Sequence, residues 1–92
     1  MTNQATQTGA PQTIKQMQLG NQAVIIKING TFQQIQRIQM LGLRKGGHIK
    51  VVHGPGRRGA VVQSGGARIA LGKEIIEQIE VTPINVQEDQ TR

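Results

Sequence analysis

The 92-residue chain has no cysteine, no tryptophan and no tyrosine, and its one aromatic side chain is Phe32. Without cysteine, disulfides, thiolate metal sites and redox chemistry at sulfur are excluded. With a single aromatic, the chain lacks the stacking platforms by which small barrels hold single-stranded nucleic acid. No stretch approaches the ~20 consecutive apolar residues of a membrane-spanning helix. Residues 1–9 show neither the basic patch nor the apolar run of a secretory signal. A soluble, cytoplasmic protein without direct membrane insertion is expected. Acids are missing from the first 73 positions: Glu74, Glu77, Glu80, Glu88 and Asp89 all follow, whereas ten of the eleven Lys and Arg precede them. The net charge is +6. Such a split favours docking on an anionic surface, whether an acidic protein face, a membrane surface or nucleic acid.

The length suits one domain. Residues 1–13 are polar and read as a disordered tail, residues 14–82 as the folded domain, and residues 83–92 as a polar, acidic tail. A domain of that size buries only about 60% of its unfolded surface. Its apolar supply is aliphatic, dominated by Ile, Val and Leu.

Residues 23–28 (Ala-Val-Ile-Ile-Lys-Ile) are β-branched and bounded by Gly20-Asn21 and Asn29-Gly30. Val24, Ile26 and Ile28 share one face at period two, which predicts a strand. Thr31-Phe32-Gln33-Gln34 fits a capping box. Phe32, Ile35, Ile38 and Leu41 then recur at threes, predicting about three turns of helix with Phe32 toward the core, stopped by Gly42 in a left-handed conformation. Ile49 and Val51 alternate with Lys50 and Val52 as a second strand. Residues 54–59 (Gly-Pro-Gly-Arg-Arg-Gly) read as a loop, because proline and three glycines fit a ladder poorly. Residues 60–63, 64–66 and 67–71 read as strand, turn and strand, with Ala67, Ile69 and Leu71 on one face. Residues 72–78 read as a helical turn, and 79–81 as a closing strand before Pro83. The expected fold is mostly β: a small SH3-like barrel of about five short strands, with one short α-helix after the first strand and a helical turn before the last.

The motifs carry little chemistry. Residues 54–59 spell G-x-G-x-x-G, but a dinucleotide site needs a helix to follow, and here a hairpin follows. The same residues have P-loop spacing, yet Ala60-Val61 stands where Lys and Ser/Thr are required. His48 and His53 are five apart on one strand, so an ideal ladder sets them on opposite faces and they do not chelate one ion together. Ser64 sits in a tight turn without an aspartate nearby, Asp89 lies in the acidic tail, and Glu74 and Glu77 form a solvated helical face. Acid–base catalysis needs a cleft that shifts pKa values, so no enzyme, cofactor or metal site is expected. Arg44-Lys45 and Arg57-Arg58, flanking one strand, make a candidate basic contact patch. Arg37, beside Ile38 in the helix, suits either a partner contact or an intramolecular role in which its stem packs and its head bonds loop carbonyls.

Residues 37–52, with Arg37, Ile38, Leu41-Gly42-Leu43, Gly46, Ile49 and Val51 at fixed spacing, resemble the signature of the FeoA family of ferrous-iron-transport proteins. Ile14 and Gly20 upstream, and Ala70-Leu71, Ile76, Ile79 and Val81 downstream, extend the likeness over residues 14–81. The sequence departs from the family in its basic loop at 54–59, where an acid is usual, and in lacking an aromatic near Gly66-Ala67. The resemblance implies an SH3-like barrel that acts as a cytosolic, non-catalytic accessory of a membrane ferrous iron transporter, docking on the transporter's GTP-binding domain. It also implies a kinship with the C-terminal module of metal-dependent repressors, whose DNA-reading domain is missing here.

On this reading the partner-binding residues are Arg44, Lys45, Arg57 and Arg58, with Leu43 as apolar anchor and Arg37 beside them. A small basic nucleic-acid-binding barrel and a stand-alone metal-regulator-type module are the alternatives. Self-association through an edge strand, residues 60–62, is a further expectation.

Overall fold

The computed structural model describes residues 11–84. Six antiparallel strands form one sheet: β1 (Gln12–Thr13), β2 (Gln22–Ile28), β3 (His48–Gly56), β4 (Gly59–Ser64), β5 (Ala67–Leu71) and β6 (Ile79–Ile84). Their spatial order is β1-β6-β2-β3-β4-β5. A single 3₁₀ turn, Ile14–Gln16, follows β1; helix α1 (Phe32–Met40) links β2 to β3, and α2 (Lys73–Gln78) links β5 to β6. This is the small SH3-like sheet expected, with a sixth strand. β1 and β5 are its two edges, so the barrel stays open between them.

The strand at the start is too short to announce itself by alternation. Gln12 and Thr13 pair with Val81 and Glu80 of β6, so residues 12 and 13, expected in the tail, belong to the sheet. β6 likewise runs through Pro83 to Ile84. Of the tails expected at 1–13 and 83–92, residues 1–10 and 85–92 lie outside the described residues.

The core is wholly apolar. Fourteen hydrophobic residues are buried, and no polar or charged side chain is buried among the described residues. β2 contributes Ala23 and Ile25 rather than Val24 and Ile26. Its register shifts between Ile25 and Lys27, after which Ile28 faces Ile79. Directly opposed residues share a face, so this bulge resets the alternation and turns Ala23, Ile25 and Ile28 inward. Both faces of the strand are aliphatic, and period two alone does not tell them apart.

The basic loop is also a correction. β3 continues through Gly54, Pro55 and Gly56, with register shifts on either side of His53, and Gly56 pairs with Gly59. Residues 57 and 58 alone form the turn. Bulges let β3 accept the proline and glycines that argued for a loop. The same irregularity moves His53: it faces Val61, just as Lys50 faces Gln63. His53 and His48 are both exposed, and the bulge sets them on the same outer face, not opposite ones. Five residues of strand still separate them by roughly 16 Å, too far to share an ion.

β4 lies between β3 and β5. Residues 60–62 are therefore interior to the sheet, and the free edge on that side is β5.

A candidate docking surface on helix α1

Helix α1 begins as its sequence requires. The Thr31 hydroxyl accepts from the Gln34 amide at 3.1 Å, and the Thr31 amide donates to Gln34 Oε1 at 2.9 Å. The same Gln34 oxygen accepts from Gln78 Nε2 at 3.1 Å, which fastens the helix start to the end of α2. At the other end Gly42, at φ +106, donates its amide to the Gln39 carbonyl. That left-handed residue closes the helix.

What the helix buries is less than its apolar spacing predicts. Ile38 is its one buried residue and Ile35 is half-buried. Phe32 is 76% exposed, Met40 83% and Leu41 40%. A residue every third position drifts by ~60° per step on an α-helix, so four such residues sweep half the circumference. Ile38 and Ile35 sit in the middle of that arc and reach the core, while Phe32 and Leu41 at its ends do not. Phe32, Gln36 and Met40, four apart, stack into an outward ridge. Gln33, Gln36, Arg37, Met40 and Leu41 line a shallow hollow of about 590 Å³ beside it. A lone exposed aromatic, flanked by glutamines and one arginine, is the most prominent apolar feature of the described surface.

The other residues singled out from the sequence fall in different places. Leu43 is 1% exposed, inside the core cluster with Ile38; it is no surface anchor. It follows the helix-ending glycine, where a hydrophobic residue turns back under the last turn. Leu43→Ala should therefore cost about 2–5 kcal/mol of stability, read by denaturant unfolding, whereas a surface anchor would leave the midpoint unmoved.

Arg44 and Lys45 are exposed in the turn before β3, and Arg57 and Arg58 are exposed in the turn after it. Nine residues of strand lie between the two pairs, a span of up to ~30 Å. The structure thus sets them at opposite ends of β3 and does not bring them together as one patch. Arg57 instead joins Lys15, Lys73, Glu74 and Glu77 around an open cleft of about 690 Å³. There Lys15 Nζ bonds Glu77 Oε2 at 2.8 Å. The hydrogen bond and charge of Lys15, helped by Lys73, hold the Glu77 carboxyl below its ordinary range. The stabilisation tied to this exposed pair is present at neutral pH and fades as pH falls through the lowered value. Arg37 shares a small cleft with Gln34, Glu74, Ile75 and Gln78 and is itself exposed.

The G-x-G-x-x-G run is the tip of the β3–β4 hairpin, and two of its glycines, Gly54 and Gly59, answer to packing. An alanine Cβ at Gly59 would lie 1.9 Å from the Leu71 carbonyl oxygen. Among the described residues no three His, Asp or Glu side chains gather as a metal site, and no helix is long and apolar enough to cross a membrane.

The exposure of Phe32 and Met40 was the feature least visible in the sequence. The one signal for it was the spacing: apolar residues at successive threes, with Met40 four beyond Gln36 on the far side of the helix.

Comparison with known proteins agrees with the fold. The crystal structure of an iron uptake regulatory protein, FeoA, superposes with a TM-score of 0.76 at 23% identity, over 82% of this chain and 100% of that one. The solution structure of FeoA from Chlorobium tepidum gives 0.69 at 21% identity, over 85% of this chain and 75% of that one. A manganese-dependent transcriptional repressor gives 0.75 at 16% identity; 84% of this chain is covered, against 44% of the repressor. No curated protein sequence matches the chain. The FeoA domain family itself matches residues 12–83, from β1 nearly to the end of β6. With that match spanning most of its length, the chain belongs to the FeoA family.

Proposed function

We propose that this chain is a non-catalytic accessory of ferrous iron uptake that docks on the cytosolic, GTP-binding part of a membrane iron transporter and modulates it. Its family places it among small proteins of ferrous iron uptake. The observation that carries the docking reading is the exposed ridge of Phe32 and Met40 on α1. Protein interfaces are enriched in aromatic residues, Met and Arg, and depleted of Lys and acids at their centres. The ridge, with Arg37 at its side, has that composition. A catalytic reading has less to stand on, since no ionisable side chain is buried among the described residues to have its pKa tuned.

Arg57 and Arg58 supply a second, electrostatic contact in this reading. Arg44 and Lys45, at the far end of β3, fit the same anionic partner at its margin. The test is titration of the chain against the soluble GTP-binding part of the iron transporter from the same genome. Micromolar or tighter binding is expected, weakened by Phe32→Ala. Reversing charge at Arg57 and Arg58 should leave the unfolding curve in place and weaken binding about tenfold at low salt, the difference shrinking as salt is raised. Equal affinity of a folded double variant would remove that hairpin tip from the interface. Absence of any binding would remove the transporter as partner.

A further inference from the structure

We propose that two copies of this chain associate by pairing their β5 strands edge to edge, antiparallel about Ile69. β5 ends the sheet, with β4 on one side and no hydrogen-bonded strand on the other among the described residues. The register of β4 with β5 is unbroken from Ala60 opposite Leu71 to Ser64 opposite Ala67. The edge thus carries no bulge, and it has no proline and no inward charge, the features that usually block strand addition.

The hydrogen-bond pattern decides which register fits. Gly65 and Gly66 make a two-residue turn, and the pair that closes such a turn is hydrogen-bonded. Ala67, Ile69 and Leu71 therefore direct their amides and carbonyls at β4, while Arg68 and Ala70 direct theirs outward. A two-fold axis at Ile69 sets Arg68 opposite Ala70 of the second copy, and Ala70 opposite its Arg68. Each of these two pairs exchanges two backbone hydrogen bonds, four in all. The sole charge of the strand meets a methyl group and not its own counterpart, so the edge is complementary to itself.

The inner face adds apolar contact. Ile69 is half-buried, and its Cδ1 lies 3.7 Å from where a Cβ on Gly42 would sit, so the end of α1 is beside it. The axis brings the two Ile69 side chains together with the two α1 ends on the same side of the joined sheet. Leu41, 40% exposed in the single copy, stands next to that seam. Phe32, nine residues away at the other end of α1, takes no part, which keeps this association separate from the docking reading.

Ala70 is exposed, so its side chain can be changed without touching the core. The experiment is sedimentation equilibrium of the full chain from micromolar to millimolar concentration. Ala70→Glu puts two carboxylates opposite two arginines and should tighten the dimer about fivefold; Ala70→Lys puts like charges there and should loosen it by a similar factor. Ala70→Pro removes an outward amide that the fold itself does not use, and should abolish association with the circular dichroism spectrum unchanged. Because each copy carries +6, raised salt should strengthen the wild-type dimer. A monomer throughout the range, for both the wild type and Ala70→Glu, overturns the proposal. So does a dimer that responds identically to Glu and Lys.

Discussion

Gly59→Ala will leave the domain unfolded or nearly so at physiological temperature. Gly59 adopts φ +117, a conformation that an L side chain rarely takes, and an alanine Cβ there would lie 1.9 Å from the Leu71 carbonyl oxygen and 2.9 Å from the carbonyl carbons of Leu71 and Gly72. All three are backbone atoms in the β4–β5 ladder and its exit, so relief requires β5 to move away from β4. That movement breaks the Ala60–Leu71 pairing and lifts Leu71, which is 2% exposed, from the core. Backbone clash, lost ladder bonds and a disrupted core contact together exceed about 4 kcal/mol. A domain of this size holds only about 4–11 kcal/mol. Gly56→Ala is the internal control: it lies in the same hairpin, a Cβ there meets nothing within 4 Å, and its melting curve should overlay the wild type. Thermal unfolding followed by circular dichroism decides it; a Gly59→Ala melting point within a few degrees of wild type would show that the strands can part cheaply.

Phe32→Ala should have the opposite profile: no loss of stability and a large loss of partner affinity. The side chain is 76% exposed, so its removal uncovers no core, and alanine's higher helix propensity should add about 0.5 kcal/mol. As an aromatic anchor at the centre of an interface, its truncation should cost about 2 kcal/mol or more, roughly thirtyfold in Kd. Met40→Ala should weaken binding less, because a flexible thioether adapts to its pocket. The two measurements needed are denaturant unfolding and titration against the transporter's GTP-binding part. Wild-type affinity in a folded Phe32→Ala variant would refute α1 as the docking face.

Much of the fold can be read from residue order alone. The helix from 32 to 40 is marked at both ends, by the Thr31–Gln34 capping box and by Gly42, and each signal is a local hydrogen bond or a local φ that owes nothing to the rest of the chain. The strands at 59–64 and 67–71 are similarly marked by a diglycine turn. What escapes local reading is direction. In β2 both faces are aliphatic, and only a bulge formed against β6 selects Ala23 and Ile25 as core. In α1 the apolar arc is wider than the strip that meets the sheet, so the residues at its ends, Phe32 and Leu41, are left outside. The contact surface suffers most, since it is defined by what the core leaves over. Leu43, expected as an apolar anchor beside exposed basic residues, is drawn inward by the helix stop just before it. Arg44–Lys45 and Arg57–Arg58, neighbours across one strand in sequence, are kept apart by that strand's length once β3 extends through its proline.

β6 is the last strand of the described residues, yet it is hydrogen-bonded on both sides, to β1 and to β2. It also carries Ile79 and Val81, both fully buried. A nascent chain halted anywhere before residue 79 therefore has its first strand unpartnered and a gap in its core, however well the β3–β4–β5 meander has formed. The domain consequently completes its fold only once residues 79–84 are available to pair, at the slower rates typical of sheets closed by distant segments, and until then its earlier strands stay open to proteolysis.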